Sequence, residues 1–175
     1  RPGIREKTGP FVFQFQKQGG SQEAVDGFIE KLDNFLSGLP RSFRYATEVR
    51  TRELLCADYF AVLNKHGATH CFNHWTGMPP LLEQMRAAAA SGGLTANFYV
   101  SRLLTPLGLA YADAVTRFSP YDCLQQEQPE MRRDVVRLAR RAIERDVEVF
   151  ILVNNRLEGN SPASIEAMGR MIIGG

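Results

Sequence analysis

The sequence has few of the residues that build metal sites and disulfide frameworks. Among its 175 residues there are three histidines and three cysteines, namely Cys56, Cys71 and Cys123. The cysteines are widely spaced and odd in number, which argues against a disulfide framework and favours a reducing compartment, the cytoplasm. The absence of a Cys-x-x-Cys pair or a Cys/His ladder predicts that the chain has no structural zinc site, and no motif identifies a cofactor.

Long apolar runs and a strong charge imbalance are also missing. No run approaches the roughly 18 to 20 apolar residues that a membrane-spanning helix needs. The net charge of +2 is too small to imply a nucleic-acid or membrane partner by itself. The chain opens with Arg1, Pro2 and Gly3 rather than with a methionine and an apolar core, so we expect no secretory signal and a natural start farther upstream.

What the sequence does contain is a strand pattern followed by a helix pattern, five times in succession. The strand patterns are Phe11–Phe15, Arg44–Arg50, Ala68–Trp75, Asn97–Leu104 and Val149–Val153. The helix patterns run from an N-cap at Ser21 to Pro40, through Leu54–Leu63, from Leu81 to Ala90, from Pro129 to Arg145, and onward from Ser161 and Pro162. Strands separated by full-length helices predict a parallel sheet, and we expect one α/β domain over residues 1–175.

The prediction of a site starts from the stretch Val147–Pro162. Its continuous apolar run, Val149–Val153, is typical of a strand buried on both faces. Asn154 and Asn155 follow this strand directly, at the edge of the sheet where α/β proteins bind their ligands. The segment Thr105–Gln128 is interpreted as a long connection, and connections of that length are often functional.

Four stretches together resemble one protein family. They are GPFVFQF near the start, RYATEVRTREL in the middle, FYVSRLL followed by FSPYD, and VFILVNNRLEGNSPAS near the end. In this order they are similar to the YecE-like proteins, also called domain-of-unknown-function family 72. The resemblance covers nearly the whole chain.

The resemblance implies a TIM-type (βα)8 barrel, of which this chain would supply the last five βα units. The family's first strand, of the Gly-Thr-Ser-Gly-Trp type, is absent here. Five units alone would leave two open sheet edges, so we expect that the N-terminal part was cleaved, disordered or left out, or else that the chain pairs with another copy. Members of the family are described as related to sugar isomerases, which is a relation of fold and not an established activity.

In such a barrel the site lies at the carboxyl ends of the strands. Glu48 and Arg50 are two residues apart on one strand and point to the same side. A carboxylate beside a guanidinium stays ionised, which suits a ligand anchor; the alternative is a buried ion pair that plugs the barrel mouth. Arg102 ends another strand and is expected to clamp a phosphate or carboxylate, unless Glu48 neutralises it. The family often has Arg-Leu-His-Gly where this chain has Arg102–Thr105, so any role of that histidine is lost or moved.

His74 is the candidate for proton transfer because the pKa of histidine lies near neutrality. His74 and His70 are equally compatible with a structural role, and strand alternation allows only one of His74 and Asn73 to face inward. The residues that we expect to bind the ligand carry amide or guanidinium groups. They are Gln14, Arg50, Asn73, Arg102, Asn154, Asn155 and Arg156. The start of the last helix at Ser161 is a further candidate for holding an anion.

The leading functional hypothesis is an enzyme that acts on a polar, anionic, sugar-like small molecule, with Glu48 and His74 in catalysis. Glu48 and Glu158 as a glycosidase pair, and a divalent metal held by Glu48, His74 and Asp122, are weaker alternatives. A second hypothesis is nucleic-acid processing or binding, suggested by the arginines of the helix Pro129–Arg145, although a solvated face explains them better. A non-catalytic ligand-binding module is the third. The sequence does not define an oligomeric state.

Overall fold

The computed structural model describes residues 7–174, so Arg1, Pro2 and Gly3, on which the expectation about the start of the chain rests, lie outside the described residues. The strands are β1 (Phe11–Gln14), β2 (Tyr45–Glu48), β3 (Thr69–His74), β4 (Phe98–Leu103) and β5 (Glu148–Val153). The helices are α1 (Gln22–Ser37), α2 (Ala57–His66), α3 (Leu81–Ala90), α4 (Tyr111–Phe118), α5 (Pro129–Glu144) and α6 (Ser161–Ile173), with a 3-10 helix at Arg52–Leu54. The predicted strand–helix alternation is confirmed.

All five strands are parallel, and their order in the sheet is their order in the chain. The sheet is curled into a half-barrel. Gln14 on β1 accepts a hydrogen bond of 3.2 Å from Arg102 on β4, and Arg44 beside β2 pairs with Glu148 on β5. Strands in a flat sheet are about 4.8 Å apart, so β1 and β4 would be roughly 14 Å apart. The contacts across the sheet follow from its curvature.

Side chains alternate between an inner face and a face covered by helices. The register pairs Ala46 with Thr69 and Cys71 with Val100, which places these residues on the inner face. A small inner cluster forms from Ala46, Cys71, Ala96, Phe98 and Val100. The larger core lies between sheet and helices, where for example Phe15 meets Phe28 of α1 edge to face at 5.2 Å. Parallel strands in α/β proteins are covered by crossover helices in this way.

The expectation that the strand Val149–Val153 is buried on both faces is wrong. β5 is an edge strand of the sheet, and its inward-facing Leu152 is 48% exposed. The outward residues Val149, Ile151 and Val153 do pack against the core. Both faces of β5 therefore carry apolar side chains, but only the helix-facing one is packed. Its inner face stays open because no sixth strand lies beside β5 within residues 7–174.

Two further details differ from the sequence-based expectations. The segment Thr105–Gln128 contains the helix α4, whose Ala114 and Phe118, four residues apart, are fully buried. The N-cap of α6 is Asn160, whose side chain accepts the N–H of Ala163, while Ser161 is already helical. Asparagine and serine are nearly equal as N-caps, so the pattern alone did not separate the neighbouring positions.

Among the helices of the described part, none is both long enough and apolar enough to cross a membrane.

Candidate functional site

An ionic cluster occupies the inner face of the sheet near the carboxyl ends of its strands. Glu48, fully buried, has Oε1 at 2.5 Å from Nη2 of Arg50 and pairs through Oε2 with Nη1 of Arg102. Strand register explains the convergence, because Gln14 pairs with Glu48 and Asn73 pairs with Arg102. Of the residues predicted for the site, the structure brings five together, and we call them the Glu48 cluster: Gln14, Glu48, Arg50, Asn73 and Arg102.

Three buried polar atoms of this cluster have no hydrogen-bond partner within residues 7–174. They are Oε1 of Glu48, which has only its ion-pair contact with Arg50, Nη1 of Arg50 and Oδ1 of Asn73. Nδ2 of Asn73 is used, donating to the carbonyl oxygen of Val49 at 3.1 Å. The guanidinium of Arg50 lies over the ring of Trp75, 4.3 Å from its centre, within the range of a cation–π contact. Burial lowers the pKa of Arg50, and the charge of Glu48 opposes that shift.

The cluster carries an excess of positive charge. Two guanidinium groups face one carboxylate, and Gln14 adds a neutral amide. The side chain of Arg102 is 28% exposed, so one of the two cations is open to solvent. A buried cation without full compensation is costly, and an anionic ligand is one way to compensate it.

A second layer of hydrogen bonds holds the end of β3 in place behind the cluster. Gln84 of α3 is fully buried; its Oε1 accepts the N–H of Asn73 at 3.1 Å and its Nε2 donates to the carbonyl oxygen of Asn73 at 2.7 Å. Nε2 also donates to the carbonyl oxygen of Pro79 at 2.7 Å. Gln84 therefore binds the backbone of Asn73 from both sides, and Asn73 in turn binds the backbone between Glu48 and Arg50.

The same glutamine determines the protonation of His70. Both N–H groups of Gln84 donate to carbonyl oxygens, so its Oε1, 3.0 Å from Nε2 of His70, must accept a hydrogen bond from an N–H at that nitrogen. Burial lowers the pKa of His70 to about 4, so the ring is neutral at neutral pH and Nδ1 is an acceptor. The hydroxyl of Tyr59 donates to Nδ1 at 2.9 Å and accepts from the hydroxyl of Thr47. His70 is a satisfied core histidine.

His74 does not share the site with Glu48. It lies on the helix-facing side of β3, opposite Asn73, as the alternation of the strand requires. Burial lowers the pKa of His74 to about 4, while Asp134 and Glu158 on the same side raise it. The pairing of Glu48 with His74 in one catalytic centre is therefore wrong for this structure.

The loop after β5 uses its amides to hold its own backbone. Oδ1 of Asn154 accepts the N–H of Arg156 at 3.0 Å, and Oδ1 of Asn155 accepts the N–H of Ser161 at 2.8 Å. The guanidinium of Arg156 lies 4.6 Å from the ring centre of Tyr111 in α4. The amide NH2 groups of the two asparagines remain available to a ligand within the described part of the chain.

The start of α6 is not free to hold an anion. The N–H groups of Ser161 and Ala163 bond to the side chains of Asn155 and Asn160, and the N–H of Ser164 bonds to the carbonyl of Asn160. Pro162 has no N–H. The anion site expected at Ser161 is contradicted because the protein itself satisfies these donors.

Glu158 belongs to another network. Glu158 is fully buried. It accepts hydrogen bonds from two nitrogens of Arg132, at 2.9 and 3.0 Å, and from the hydroxyl of Ser164 at 2.6 Å. It joins α5 to α6 and does not face Glu48, so the glycosidase pair is not formed. Asp122 is exposed, and residues 7–174 contain no group of three His, Cys, Asp or Glu side chains able to hold a metal. The Glu48–His74–Asp122 metal site is therefore not formed either.

Sequence reasoning missed Gln84 and Cys71. A signal for Gln84 was present, since it interrupts the apolar face of α3, three residues after Leu81 and four before Ala88. Cys71 lies on the inner face with its Sγ 4.0 Å from Oε2 of Glu48, and burial raises the pKa of its thiol. Only the register of β3 against β2 reveals that neighbour.

Fold and site together define a parallel α/β half-barrel with a buried, positively charged cluster at the carboxyl edge of its strands. The family described as protein of unknown function DUF72 matches residues 2–173, and the chain belongs to this family. The chain is similar to a crystal structure of a DUF72 family protein from Enterococcus faecalis, with a TM-score of 0.59 and 16% identity. That match covers 94% of this chain and 58% of the Enterococcus protein, so the chain spans little more than half of its length. No curated protein matches the chain.

Proposed function

We propose that this chain carries the ligand site of a TIM-type (βα)8 barrel enzyme and forms one α/β domain from the last five βα units of that barrel. The proposed ligand is a polar, anionic, sugar-like small molecule. The position of the cluster supports the proposal, because TIM barrels bind their substrates at the carboxyl ends of the strands. The remaining strands of such a barrel would complete the mouth around the ligand.

The observation that carries the proposal is the buried excess of positive charge around Glu48. Nη1 of Arg50 has no hydrogen-bond partner in the part of the chain that the structure describes, and Arg102 is partly open to solvent. An anionic group on the ligand would satisfy both guanidinium groups, and planar guanidinium groups bind carboxylates and phosphates in bidentate fashion.

The roles of the individual groups follow from their contacts. Arg50 and Arg102 clamp the anion. Oδ1 of Asn73, which has no partner among the described residues, accepts a hydrogen bond from a hydroxyl of the ligand. Glu48 acts as the anchor that spaces the two guanidinium groups. Both of its oxygens are paired with arginine, which leaves it poorly placed to take a proton as a general base. Asn154 and Asn155 would contribute N–H donors from the loop above.

The reaction class rests on the family resemblance alone, which favours an isomerase-related or hydrolytic activity. The alternative of nucleic-acid binding finds no support in α5, where Arg133, Arg137 and Arg141 pair with carboxylates of the same helix at 2.6 to 3.9 Å. Arg132 departs from the expected solvated face altogether, since it is buried against Glu158.

A thermal-shift experiment tests the proposal. The chain is heated with sugar phosphates, free sugars, nucleotides, oligonucleotides and divalent metals, since ligands of the native state raise the midpoint by mass action. Sugar phosphates are expected to raise it, and Arg102→Ala should weaken that binding about 10- to 100-fold through the loss of a charged hydrogen bond.

Arg140→Ala is the matched control, because Arg140 is exposed on α5 and its loss changes the net charge equally. It should leave the shift unchanged. A response to oligonucleotides alone, or an equal loss of sugar-phosphate binding in both variants, would overturn the assignment of the ligand to the Glu48 cluster.

A further inference from the structure

A second candidate site lies on the other face of β3, where α3 and the first turn of α5 leave a cavity of about 480 Å³. His74 and Met131 are its most buried lining residues, and apolar walls come from Pro80, Leu107 and Pro129. The Glu48 cluster contributes nothing to this cavity, so a site here is independent of the proposed function.

Buried polar atoms without protein partners are concentrated in the lining of this cavity. His74 is 5% exposed, and neither Nδ1 nor Nε2 has a hydrogen-bond partner within residues 7–174. Nε2 of Gln128, which also lines the cavity, is buried without a partner as well. An unsatisfied buried polar atom costs about 1–3 kcal/mol, so three of them at one cavity indicate an occupant that supplies the missing hydrogen bonds.

The first turn of α5 adds favourable electrostatics. This 16-residue helix has no side-chain cap at its N-terminus, and Gln128, Pro129, Glu130 and Met131 all border the cavity. The N-terminal end of a helix carries partial positive charge, which favours anions. The N–H of Gln128 is bound by Oε1 of Glu158 at 2.6 Å and Pro129 has none, so the backbone donors that this turn offers to a ligand are those of Glu130 and Met131.

The charged side chains around the cavity largely balance one another. Glu130 pairs with Arg133 at 3.9 Å, and Asp134 pairs with Arg137 at 2.6 Å while also accepting the N–H of Leu82 at 3.1 Å. Glu83 and Arg86 add one charge of each sign. The choice of ligand therefore depends on the hydrogen-bonding groups of His74 and Gln128 and on the N-terminal end of α5.

The protonation of His74 narrows the chemistry of the occupant. Burial lowers the pKa of His74 to about 4, so at neutral pH the ring offers one N–H donor and one nitrogen acceptor. Hydrogenphosphate and phosphate monoesters match this pair at mildly acidic to neutral pH, since they carry acceptor oxygens and a protonated oxygen on one group. Sulfate has the same shape but lacks the O–H.

We propose that the cavity between α3 and α5 is a phosphate-binding site, in which His74, Gln128 and the first turn of α5 hold either inorganic phosphate or the terminal phosphate of a small metabolite.

The test is a titration of the ring resonances of His74 by NMR at pH 6.5, with inorganic phosphate, glycerol 3-phosphate and sulfate as probes. Both phosphates are expected to cause a saturable shift of these resonances, and sulfate should bind at least about tenfold more weakly for want of one hydrogen bond. Tighter binding of glycerol 3-phosphate than of inorganic phosphate would identify a phosphorylated metabolite as the ligand, and the reverse order would identify the free ion.

Gln128→Glu is the decisive variant, because it keeps the shape of the side chain but replaces a donor with a negative charge. It should abolish the phosphate-dependent shift of the His74 resonances, whereas Arg102→Ala, which changes the Glu48 cluster on the inner face of the sheet, should leave that shift unchanged. The proposal is overturned by the absence of a saturable shift, by equal binding of sulfate and phosphate, or by unchanged binding in folded Gln128→Glu. Phosphate binding that disappears with Arg102→Ala would assign the anion to the Glu48 cluster instead.

Discussion

Gly159 is the glycine of residues 7–174 at which an added Cβ would meet another atom at the shortest distance. Its φ of +106° lies in a region that L-residues rarely adopt, and an added Cβ would stand 2.6 Å from the carbonyl oxygen of Cys123. The segment around Cys123 packs on the loop after β5, where the carbonyl of Glu158 accepts the N–H of Gln125 at 2.8 Å.

We predict that Gly159→Ala lowers the free energy of unfolding by about 2–4 kcal/mol, through backbone strain and the contact with Cys123. Urea denaturation measures it. Gly169→Ala is the matched control, since Gly169 is helical and an added Cβ there meets nothing within 4 Å. That substitution should raise stability by about 0.5–1 kcal/mol. Equal effects at both positions would contradict the prediction.

For the Glu48 cluster we predict a loss of stability when one partner of a buried ion pair is removed, because the remaining charge is then buried without compensation. Glu48→Gln should lower the free energy of unfolding by about 3–5 kcal/mol, since two guanidinium groups then face each other across the site. A double-mutant cycle with Arg102→Met measures the coupling. The double variant should lose less than the sum of the two single losses, and additive losses would show that Arg102 and Glu48 are not coupled in solution.

At the scale of the elements, Gln84 links helix α3 to the end of β3. We predict that Gln84→Leu lowers the free energy of unfolding by roughly 3 kcal/mol or more, because it leaves the backbone of Asn73 and the ring of His70 without partners. Gln22→Leu is the control, since Gln22 is exposed on α1 and bonds only to Asp26 among the described residues. It should change stability by less than about 0.5 kcal/mol.

The link through Gln84 also predicts an effect on the site. Weaker sugar-phosphate binding in folded Gln84→Leu than in Gln22→Leu would show that α3 positions Asn73. If the two variants bound equally well, Gln84 would support the fold without shaping the site.

The five βα units were predictable because each strand and helix has its own periodicity, and all five strands were placed to within two residues of their observed ends. α4 was missed because its eight residues lie between turn signals, and short helices depend on packing of residues such as Phe118 more than on local pattern. The convergence of Glu48, Arg50 and Arg102 was predictable from alternation and from strand ends. The separation of His74 from Glu48 was predictable only in part. Strand alternation places His74 and Asn73 on opposite faces of β3, but it does not tell which of the two faces the inside of the sheet.

At the scale of the molecule, two buried histidines make the fold sensitive to acid. Burial lowers the folded-state pKa of His70 and of His74 to about 4, below the ordinary value of 6.5. Between these values the unfolded chain binds protons that the folded chain does not, so stability falls as the pH falls from 6.5 towards 4. Each histidine contributes a loss of up to about 3 kcal/mol over that window.

Urea midpoints measured between pH 7 and pH 4.5 check this expectation. His74→Phe should remove roughly half of the pH dependence that the two histidines cause, whatever its effect on stability at pH 7. If the stability of His74→Phe changed with pH as steeply as that of the unmodified chain, the pKa of His74 would not be lowered in the folded state.

The order of the strands has a consequence for how the molecule opens. Because each strand pairs with its neighbour in the chain, the sheet behaves much like a linear array of βα units in which each unit is stabilised mainly by the one before and the one after. β3 is buried at all six residues and pairs with a strand on each side, whereas β1 and β5 each pair with one strand within residues 7–174. Its backbone amides should exchange their hydrogens with solvent most slowly, and protection should decrease stepwise towards both ends of the array.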